Sequence, residues 1–342
     1  MMRVAVLVEP KRFQIETRPI PKPERNQVLI RVGCVGICGT DLHIFSGNYA
    51  TSNLPMVLGH EFAGTITELG GDVKNLCIGG KAIVDMNIGC GACYWCRRNE
   101  ILSCPEMAQL GITMDGAFAE YIAVPAHLVI PAPSGIPFEV LSLTEPLACV
   151  IRAARKAKIR FGNSVVVLGA GPIGNLHVQL LRTIGAAPIV VFDIVKERVA
   201  LACQYGADYG VSDPDELHKV VTEVTAGRGA DVVIECVGLP HLYQTAMQLI
   251  RKGGHVAAFG LTGAEDSLPL NILKTILEEN SIKGSVAGMG QDMYDALTLL
   301  AHKRINPKPL LGTKYRLIDI QSAFENYPGH PENLKTQIVI ED

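Results

Sequence analysis

From Ser164 onward, short apolar segments alternate with predicted helices, and this alternation restricts the fold more than any other feature of the chain. Strands that alternate with helices form parallel βαβ units, because a parallel strand is reached only through a crossover connection. The sequence therefore predicts an α/β region with a doubly wound parallel sheet of six strands. Those strands are the segments "SVVVLG", "PIVVFD", "YGVS", "DVVIEC", "HVAAFG" and "SIKGSV".

The turn after the first of these strands, in "VVVLGAGPIG", has glycines in the spacing G-x-G-x-x-G at Gly169, Gly171 and Gly174. This motif binds dinucleotides when it follows a strand and opens a helix, as it does here. The first glycine permits a tight turn, the second lets a pyrophosphate approach the backbone, and the third lets helix and strand pack closely. The helix N-terminus then offers unpaired N–H groups to the phosphates.

The next predicted strand ends at Asp193, nineteen residues after Gly174. A carboxylate at this place accepts hydrogen bonds from the ribose hydroxyls of NAD and repels the additional phosphate of NADP. Lys196 and Arg198 lie close behind and weaken this preference, because they could attract the same phosphate. The alternative interpretation is a glycine-rich turn followed by a surface aspartate.

The first 130 residues or so are rich in predicted strands, among them "QVLIRV" and "AEYIAVP", separated by loops such as "PIPKPERN". The opening "MMRVAVLVEPKRF" is predicted to be a first strand and not a signal peptide, because its apolar stretch is short. The tail from about Val286 adds a helix and short strands and ends in "TQIVIED". We therefore predict a β-rich catalytic domain at 1–149, a nucleotide-binding domain at 150–285, and a segment at 286–342 that returns to the first domain.

Composition limits the classes of partner. The chain has 342 residues, of which 48% are hydrophobic and 19% charged, with a formal net charge of -3 and no basic run. This argues against nucleic acid as the main partner, and no apolar run approaches the roughly 18 residues of a membrane span. Ten cysteines without a recognisable secretory signal indicate a reducing, cytoplasmic setting, in which clustered cysteines bind metal more often than they form disulfides.

Four cysteines lie in "GCGACYWCRRNEILSC", at Cys90, Cys93, Cys96 and Cys104, with two, two and seven residues between them. Four thiolates form a closed tetrahedral zinc site that leaves no position for water or substrate. The sequence therefore predicts a structural zinc here, the alternative being four unrelated reduced thiols. A reactive centre would have to lie elsewhere.

Two other segments, "GICGTDLH" and "VLGHEFAG", contain the residue types of a catalytic zinc site. Such a site uses about three protein ligands and keeps one position open. Cys38 and His60 are the natural pair, and Glu61 or Glu145 could complete the set. Each has an ordinary structural interpretation by itself; Glu145, for example, precedes a proline and could simply begin a helix.

The motifs "GICGTDLH", "GHEFAG", the four-cysteine segment, "TEPLA" and "GAGPIG" occur in this order along the chain. In this the chain resembles the zinc-containing medium-chain dehydrogenase/reductase family, and "TEPLA" resembles the branch of sorbitol, polyol, threonine and butanediol dehydrogenases. The resemblance implies a GroES-like domain and a Rossmann domain, assembled as homodimers or homotetramers, with NAD and two zinc ions per chain.

The resemblance also implies roles for single residues. Cys38, His60 and Glu61 match zinc-ligand positions, and Glu145 matches a carboxylate that can join or leave the zinc. Asp41 would orient His60, while Thr40 and His43 match a proton relay. The positions that match cofactor contacts are Ile173, Asp193, Arg198, Phe259, Gly260, Leu261, Ser285, Val286 and Ala287.

The activity implied is oxidation of a secondary alcohol in a polyol or sugar-derived substrate, with hydride transfer to NAD. Threonine 3-dehydrogenase-like and butanediol dehydrogenase-like activities are alternatives within the family, and a zinc hydrolase or a non-catalytic NAD-binding protein are alternatives outside it. Ala287 and Ile44 replace an Arg and a Tyr that face the polyol in sorbitol dehydrogenase, which leaves the substrate open. Arg152 stands where many relatives have His.

Overall fold

The computed structural model describes residues 1–327 and 334–340. Its strands, in chain order, are β1 (Met2–Glu9), β2 (Arg12–Arg18), β3 (Gln27–Gly36), β4 (Met56–Val57), β5 (Glu61–Leu69), β6 (Lys81–Val84), β7 (Asn87–Ile88), β8 (Ala108–Gln109), β9 (Tyr121–Pro125), β10 (Val129–Ala132), β11 (Val165–Leu168), β12 (Ile189–Phe192), β13 (Tyr209–Val211), β14 (Ala230–Glu235), β15 (Ile250–Ala258), β16 (Ser281–Gly284), β17 (Leu311–Arg316) and β18 (Lys335–Val339).

Helices connect many of these strands. They are α1 (Gly39–Phe45), α2 (Tyr94–Arg97), α3 (Phe138–Leu141), α4 (Thr144–Lys156), α5 (Pro172–Ile184), α6 (Lys196–Gln204), α7 (Pro214–Val224), α8 (Pro240–Leu249), α9 (Ile272–Leu277), α10 (Gln291–Ala301) and α11 (Ile320–Glu325). Within residues 1–327 and 334–340, none of these helices is long and apolar enough to cross a membrane.

Six strands form a sheet in the order β13-β12-β11-β14-β15-β16, and every neighbouring pair is parallel. Counted from β11, this order is 3-2-1-4-5-6, which is that of the Rossmann fold. The predicted doubly wound sheet of six strands is thus confirmed. The central strands β11 and β12 are buried along their whole length, as apolar segments covered by helices on both sides should be.

The β-rich part of the chain is organised around β3, whose ten residues pair with β5, β9 and β18 in a seven-stranded sheet. The segments "QVLIRV" and "AEYIAVP" form β3 and β9, and the opening segment forms β1, as predicted. The tail contributes β18, which runs antiparallel to β3, so a late part of the sequence lies beside an early one. The last two residues of "TQIVIED" lie outside the described residues.

The chain divides into two compact units. The first contains residues 1–148, 288–303 and 307–342, and the second contains 149–287 and 304–306. In the first unit, an apolar core includes Val28, Ile30 and Phe118. In the second, alternate residues of β11 face opposite sides of the sheet and belong to different cores: Val165 and Val167 to one, Val166 and Leu168 to another.

Candidate functional site

The first unit gathers three candidate metal ligands in one place. The ligand atoms of Cys38, His60 and Glu61 all lie within 4.8 Å of one another. The pairing of β3 with β5 explains this, because Gly36 stands opposite Glu61 and the chain reaches Cys38 two residues later. His60 and Glu61 are buried and Cys38 is half-buried. One thiol, one imidazole and one carboxylate are a suitable donor set for zinc with an open position.

Asp41 links two members of this cluster. Its Oδ2 accepts a hydrogen bond of 2.9 Å from the backbone N–H of Cys38, and its Oδ1 lies 3.5 Å from Nδ1 of His60. Nδ1 therefore faces a carboxylate, which leaves Nε2 as the nitrogen available to a metal. Burial lowers the pKa of His60, but Asp41 and Cys38 raise it, and the net pKa lies well above its ordinary value. The surroundings of His60 thus favour positive charge at this position.

Glu145 lies in the first turn of α4 and is buried. Among the described residues, the group of ligand atoms within 4.8 Å of one another contains Glu61 and does not contain Glu145. Thr40 and His43 stand three residues apart on α1, on one face of the helix, and both are half-buried. They follow Cys38 closely in the chain.

The other cluster is the segment from Gly89 to Cys104, which we call the cysteine lobe. The sulfur atoms of its four cysteines also lie within 4.8 Å of one another. Backbone N–H groups point at the sulfurs: that of Cys93 lies 3.4 Å from Sγ of Cys90, and that of Cys96 lies 3.4 Å from Sγ of Cys93. These N–H groups favour the thiolate form, which is the form that binds zinc. Backbone hydrogen bonds from Ala92 and Cys93 lower the pKa of Cys90 to about 7.

The cysteine lobe buries little apolar surface of its own. Tyr94 and Trp95 pack edge to face, yet their exposed fractions are 63% and 38%. Regular structure within it is limited to α2 and one short 3₁₀ turn, and the pair β7 and β8 flanks it. A segment with so small a core needs another source of order, and a closed four-thiolate zinc site supplies it.

The second unit contains the glycine-rich turn. Gly169 has φ of +99°, which favours glycine, and a Cβ on Gly174 would overlap the carbonyl oxygen of Gly169. A Cβ on Gly171, by contrast, would meet nothing within 4 Å. The protein's own packing therefore requires two of the three glycines, while the third faces open space. Gly171 precedes α5 and offers no side-chain cap, so the first N–H groups of this helix are available to a phosphate.

Asp193 follows β12 and makes two contacts that the sequence does not reveal. Its Oδ2 accepts a hydrogen bond of 2.7 Å from the backbone N–H of Ala170, and its Oδ1 accepts one of 2.9 Å from that of Val195. The carboxylate thus ties the glycine-rich turn to the end of the neighbouring strand. Each carboxylate oxygen retains a further lone pair for a ribose hydroxyl.

The remaining predicted cofactor positions follow the ends of strands in the same sheet. Ile173 lies in the first turn of α5 and Arg198 in α6, whereas the other positions lie just beyond the carboxyl ends of β15 and β16. Ligands of doubly wound sheets bind at this edge. Within the described part of the chain, Oγ of Ser285 is buried and has no hydrogen-bond partner, so a polar ligand group could satisfy it. The positions beyond β15 and β16 are Phe259, Gly260, Leu261, Ser285, Val286 and Ala287.

Sequence reasoning missed a buried cation beside the metal-ligand cluster. Lys335, on β18, forms an ion pair with Glu61, and both side chains are almost fully buried. Burial lowers the pKa of Lys335, but the charge of Glu61 raises it, and the net pKa lies above the ordinary value. The sequence contains one indication of this ion pair. Its lysine stands directly before the strand residues "TQI", which are buried, and a charged side chain is unusual at such a place.

Two family comparisons cover most of the chain. Residues 24–134 match the family described as "Alcohol dehydrogenase GroES-like domain", and residues 172–302 match the family described as "Zinc-binding dehydrogenase". Together with the parallel sheet and the two clusters of ligands, these matches define a zinc-type dehydrogenase, which is an oxidoreductase. The β-rich unit contains the GroES-like domain, and the second unit contains the Rossmann domain.

Relatives are similar over nearly the whole chain. A sorbitol dehydrogenase of Halalkalibacterium halodurans is 34% identical over 316 residues, which is 91% of both chains. An L-threonine 3-dehydrogenase of Pyrococcus abyssi is 35% identical over 90% of this chain and 89% of its own. A zinc-binding dehydrogenase of Sinorhizobium meliloti 1021, solved with NADP, has a TM-score of 0.92 at 29% identity and 99% coverage of both chains. This chain belongs to the zinc-containing medium-chain dehydrogenase family, among its alcohol and polyol dehydrogenases.

Proposed function

We propose that the protein oxidises a secondary alcohol of a polyol or sugar-derived substrate to the ketone, with NAD as hydride acceptor. The observation that carries the proposal is the convergence of Cys38, His60 and Glu61 beside Asp41. This set suits zinc, and it leaves a coordination position for a substrate oxygen. The second half of the reaction rests on the glycine-rich turn and on Asp193 in the other unit.

The residues of the two sites have different roles in this proposed reaction. Cys38 and His60 hold the metal with a carboxylate, and Asp41 fixes the orientation of His60. Thr40 and His43 carry the hydroxyl proton towards solvent. Asp193 accepts hydrogen bonds from the ribose of the cofactor. A bound zinc ion supplies a Lewis acid that lowers the pKa of a hydroxyl, and NAD supplies the acceptor for the hydride.

A substrate panel tests the proposal directly. The purified protein is incubated with NAD or NADP and with sugar alcohols, their phosphates, sugar acids, butanediol and L-threonine, and absorbance of the reduced cofactor is followed. We expect turnover with at least one polyol or sugar-derived compound, and a preference for NAD. Turnover with L-threonine or butanediol alone would show that the protein has a threonine 3-dehydrogenase-like or butanediol dehydrogenase-like activity instead. No turnover with any compound, in a sample that contains zinc, would favour the hydrolase or the non-catalytic alternative.

The metal content is part of the same proposal. We propose two zinc ions per chain, one in the Cys38 cluster and one in the cysteine lobe, because these two groups of ligands are separate. Elemental analysis should give about two zinc ions in the wild-type protein and about one in Cys38→Ser. A single zinc in the wild type that persists in Cys38→Ser would contradict the catalytic site.

We also propose that the chain forms a homodimer or a larger homo-oligomer through the second unit. Strand β16 is an edge of the six-stranded sheet, and helix α9 precedes it with largely exposed apolar side chains. An open sheet edge beside an apolar patch is a typical site of association between copies. The exposed residues of α9 are Ile272, Leu273, Ile276 and Leu277, with exposed fractions of 61%, 66%, 66% and 72%.

Light scattering tests this association. Ile276→Asp should shift the protein towards the monomer, because it places a charge in the apolar patch. Ile78→Asp is the matched control, since Ile78 is an isolated apolar residue of the first unit with an exposed fraction of 65%. A monomeric wild type, or equal masses for all three proteins, would contradict the proposed interface.

A further inference from the structure

A cavity of about 270 Å³ lies in the second unit, outside the residues assigned to metal or cofactor. Its walls come from α8, from the loop that leads into α9, and from α9 with the residues after it. Gln248 stands in the last turn of α8, two residues before β15 begins, and Asn280 directly precedes β16. The cavity therefore lies towards the amino ends of these strands, whereas the glycine-rich turn follows the carboxyl end of β11.

Asn280 is the one buried residue among those that line the cavity, with an exposed fraction of 8%. Its Nδ2 donates a hydrogen bond of 3.0 Å to Oε2 of Glu278. This bond fixes the amide, and within the described residues the buried Oδ1 has no hydrogen-bond partner. A buried acceptor without a donor is unfavourable, so a ligand N–H group in the cavity would be stabilised there. The nearby carboxylate of Glu278 favours a donor that carries a positive charge.

The same cavity also has a positive charge and an apolar wall. Lys274, on α9, lines it, and in the part of the chain that the structure describes no carboxylate forms an ion pair with this lysine. Met247 and Leu268 provide apolar surface, and both pack against an apolar core of the unit. The cavity thus combines an acceptor beside a negative charge, a separate positive charge and an apolar wall.

Helix α9 presents the cavity and the exposed apolar patch on different faces. Asn271, Lys274 and Thr275 line the cavity. The exposed apolar residues described above occupy the other positions of the helix. Residues three or four positions apart share a face of a helix, so the two sets are separate. Association of two copies through the apolar patch therefore uses none of the cavity residues.

We propose that this cavity binds an α-amino acid with an aliphatic side chain, in its zwitterionic form. The ammonium group donates to Oδ1 of Asn280 beside the carboxylate of Glu278, and the ligand carboxylate pairs with Lys274. The aliphatic side chain contacts Met247 and Leu268. The cavity is slightly smaller than the roughly 300 Å³ at which pockets for drug-sized ligands begin, a size that suits one amino acid.

This site is additional to the proposed function and does not depend on it, because the cavity contains no residue of the metal or cofactor sites. The probe is L-leucine, and the measurement is calorimetric titration of the full-length, zinc-loaded protein. L-Leucine has no hydroxyl group, so it cannot be the alcohol that the enzyme oxidises. We expect one site per chain with a Kd of about 1 mM or lower. Saturating NAD should change this Kd by less than about twofold, because the cofactor binds at the other edge of the sheet.

Two analogues test the two charged contacts separately. 4-Methylpentanoate lacks the ammonium group and L-leucinamide lacks the carboxylate, and each should bind to the wild type at least about fivefold more weakly than L-leucine. Asn280→Leu should remove the preference for L-leucine over 4-methylpentanoate, and Lys274→Met should remove the preference over L-leucinamide. Each variant lacks the partner of the group that the analogue lacks.

Lys252→Met is the matched control for Lys274→Met. It removes an exposed lysine of the same unit that does not line the cavity, and it should leave all three affinities unchanged. Leu270→Asp keeps the proposal testable if Asn280→Leu does not fold, because Leu270 lines the cavity and has an exposed fraction of 39%. A carboxylate there competes with the ligand for Lys274 and should lower the affinity at least about fivefold.

The metal site is a competing explanation, because an α-amino acid can chelate zinc through its amino and carboxylate groups. Cys38→Ser should therefore keep the wild-type affinity for L-leucine, and loss of binding in this variant would overturn the proposal. No binding of L-leucine at about 10 mM would overturn it as well. So would affinities that neither Asn280→Leu nor Lys274→Met changes, or competition between L-leucine and NAD. If the substrate panel fails while L-leucine binds as described, the proposed function fails and this site remains.

Discussion

The two compact units bury polar groups in different ways. In the first unit, buried charged side chains face other ionisable side chains: Asp41 faces His60, and Glu61 pairs with Lys335. In the second, two buried carboxylates accept hydrogen bonds from backbone N–H groups. Asp193 does so from Ala170 and Val195, and Glu235 does so from Val237 and Gly238.

This difference follows from what each unit is suited to bind. A metal ion requires several side-chain donors around one point. Phosphates and ribose hydroxyls require N–H groups and a carboxylate at the carboxyl ends of parallel strands, where this sheet has its glycine-rich turn and Asp193. The charged interior of the first unit should therefore be sensitive to single side-chain changes that leave the second unit intact.

The largest effect should come from Cys38→Ser. Loss of this ligand should remove the catalytic metal and lower kcat by at least about 1000-fold, because the metal accounts for most of the shift in the pKa of a bound hydroxyl. The dissociation constant for NAD, measured by NADH fluorescence or calorimetry, should stay within about twofold of wild type. Full activity in this variant would exclude the zinc mechanism.

Cys93→Ser should unfold the cysteine lobe locally without changing the Cys38 cluster or the cofactor site. We expect the loss of about one zinc ion per chain and a Tm lower by roughly 5 °C or more, because zinc binding stabilises a lobe that has little core. Trp95 is the only tryptophan of the chain and lies inside the lobe, so its emission should shift. Cys38→Ser is the control, with zinc lost and emission unchanged. Unaltered zinc content and emission in Cys93→Ser would mean that these cysteines are ordinary thiols.

The contrast between the units also explains what the sequence could predict. The glycine-rich turn and the parallel sheet were predictable because their determinants are local: glycines at fixed spacing and short apolar strands. The cysteine lobe was predictable for the same reason, since its four ligands lie within fifteen residues, from Cys90 to Cys104.

The environment of the metal site could be predicted only in part. Cys38, His60 and Glu61 stand in two recognisable motifs, but Lys335 reaches them from the last strand through the pairing of β18 with β3. A one-dimensional pattern does not show which distant lysine meets which carboxylate. The contact between Asp193 and Ala170 was missed for a related reason, because it joins two strand ends that are adjacent only in the folded sheet.

A change at Asp193 tests whether the second unit acts independently. Asp193→Ala should reduce the preference for NAD over NADP by at least about tenfold in kcat/KM, because the repulsion of the 2′-phosphate is lost. It should also lower the Tm slightly, since the N–H groups of Ala170 and Val195 lose their acceptor. Zinc content should remain that of the wild type. Unchanged cofactor preference would show that Lys196 and Arg198 determine it instead.

A further effect concerns the interior of the second unit, where His177 is fully buried on α5. Its ring packs edge to face against Phe259, with centroids 5.2 Å apart, and within the described residues neither ring nitrogen has a hydrogen-bond partner. Burial alone lowers the pKa of His177 to about 3. The native state therefore keeps this ring neutral, whereas the unfolded chain protonates its histidine near pH 6.5.

Between these two pKa values the unfolded state binds one more proton than the native state, so stability must fall as the pH is lowered from about 6.5 towards 3. At pH 5 the loss from this group is about 2 kcal/mol, at 1.36 kcal/mol for each of about 1.5 pH units. His177→Leu removes the titrating ring, so its free energy of unfolding should decline less between pH 7.5 and pH 5, measured by denaturant titration. His241→Leu, at an exposed position on α8, is the matched control and should keep the slope of the wild type. Equal slopes in His177→Leu and wild type would mean that this histidine is not held neutral, and that the second unit tolerates a buried charge as the first unit does.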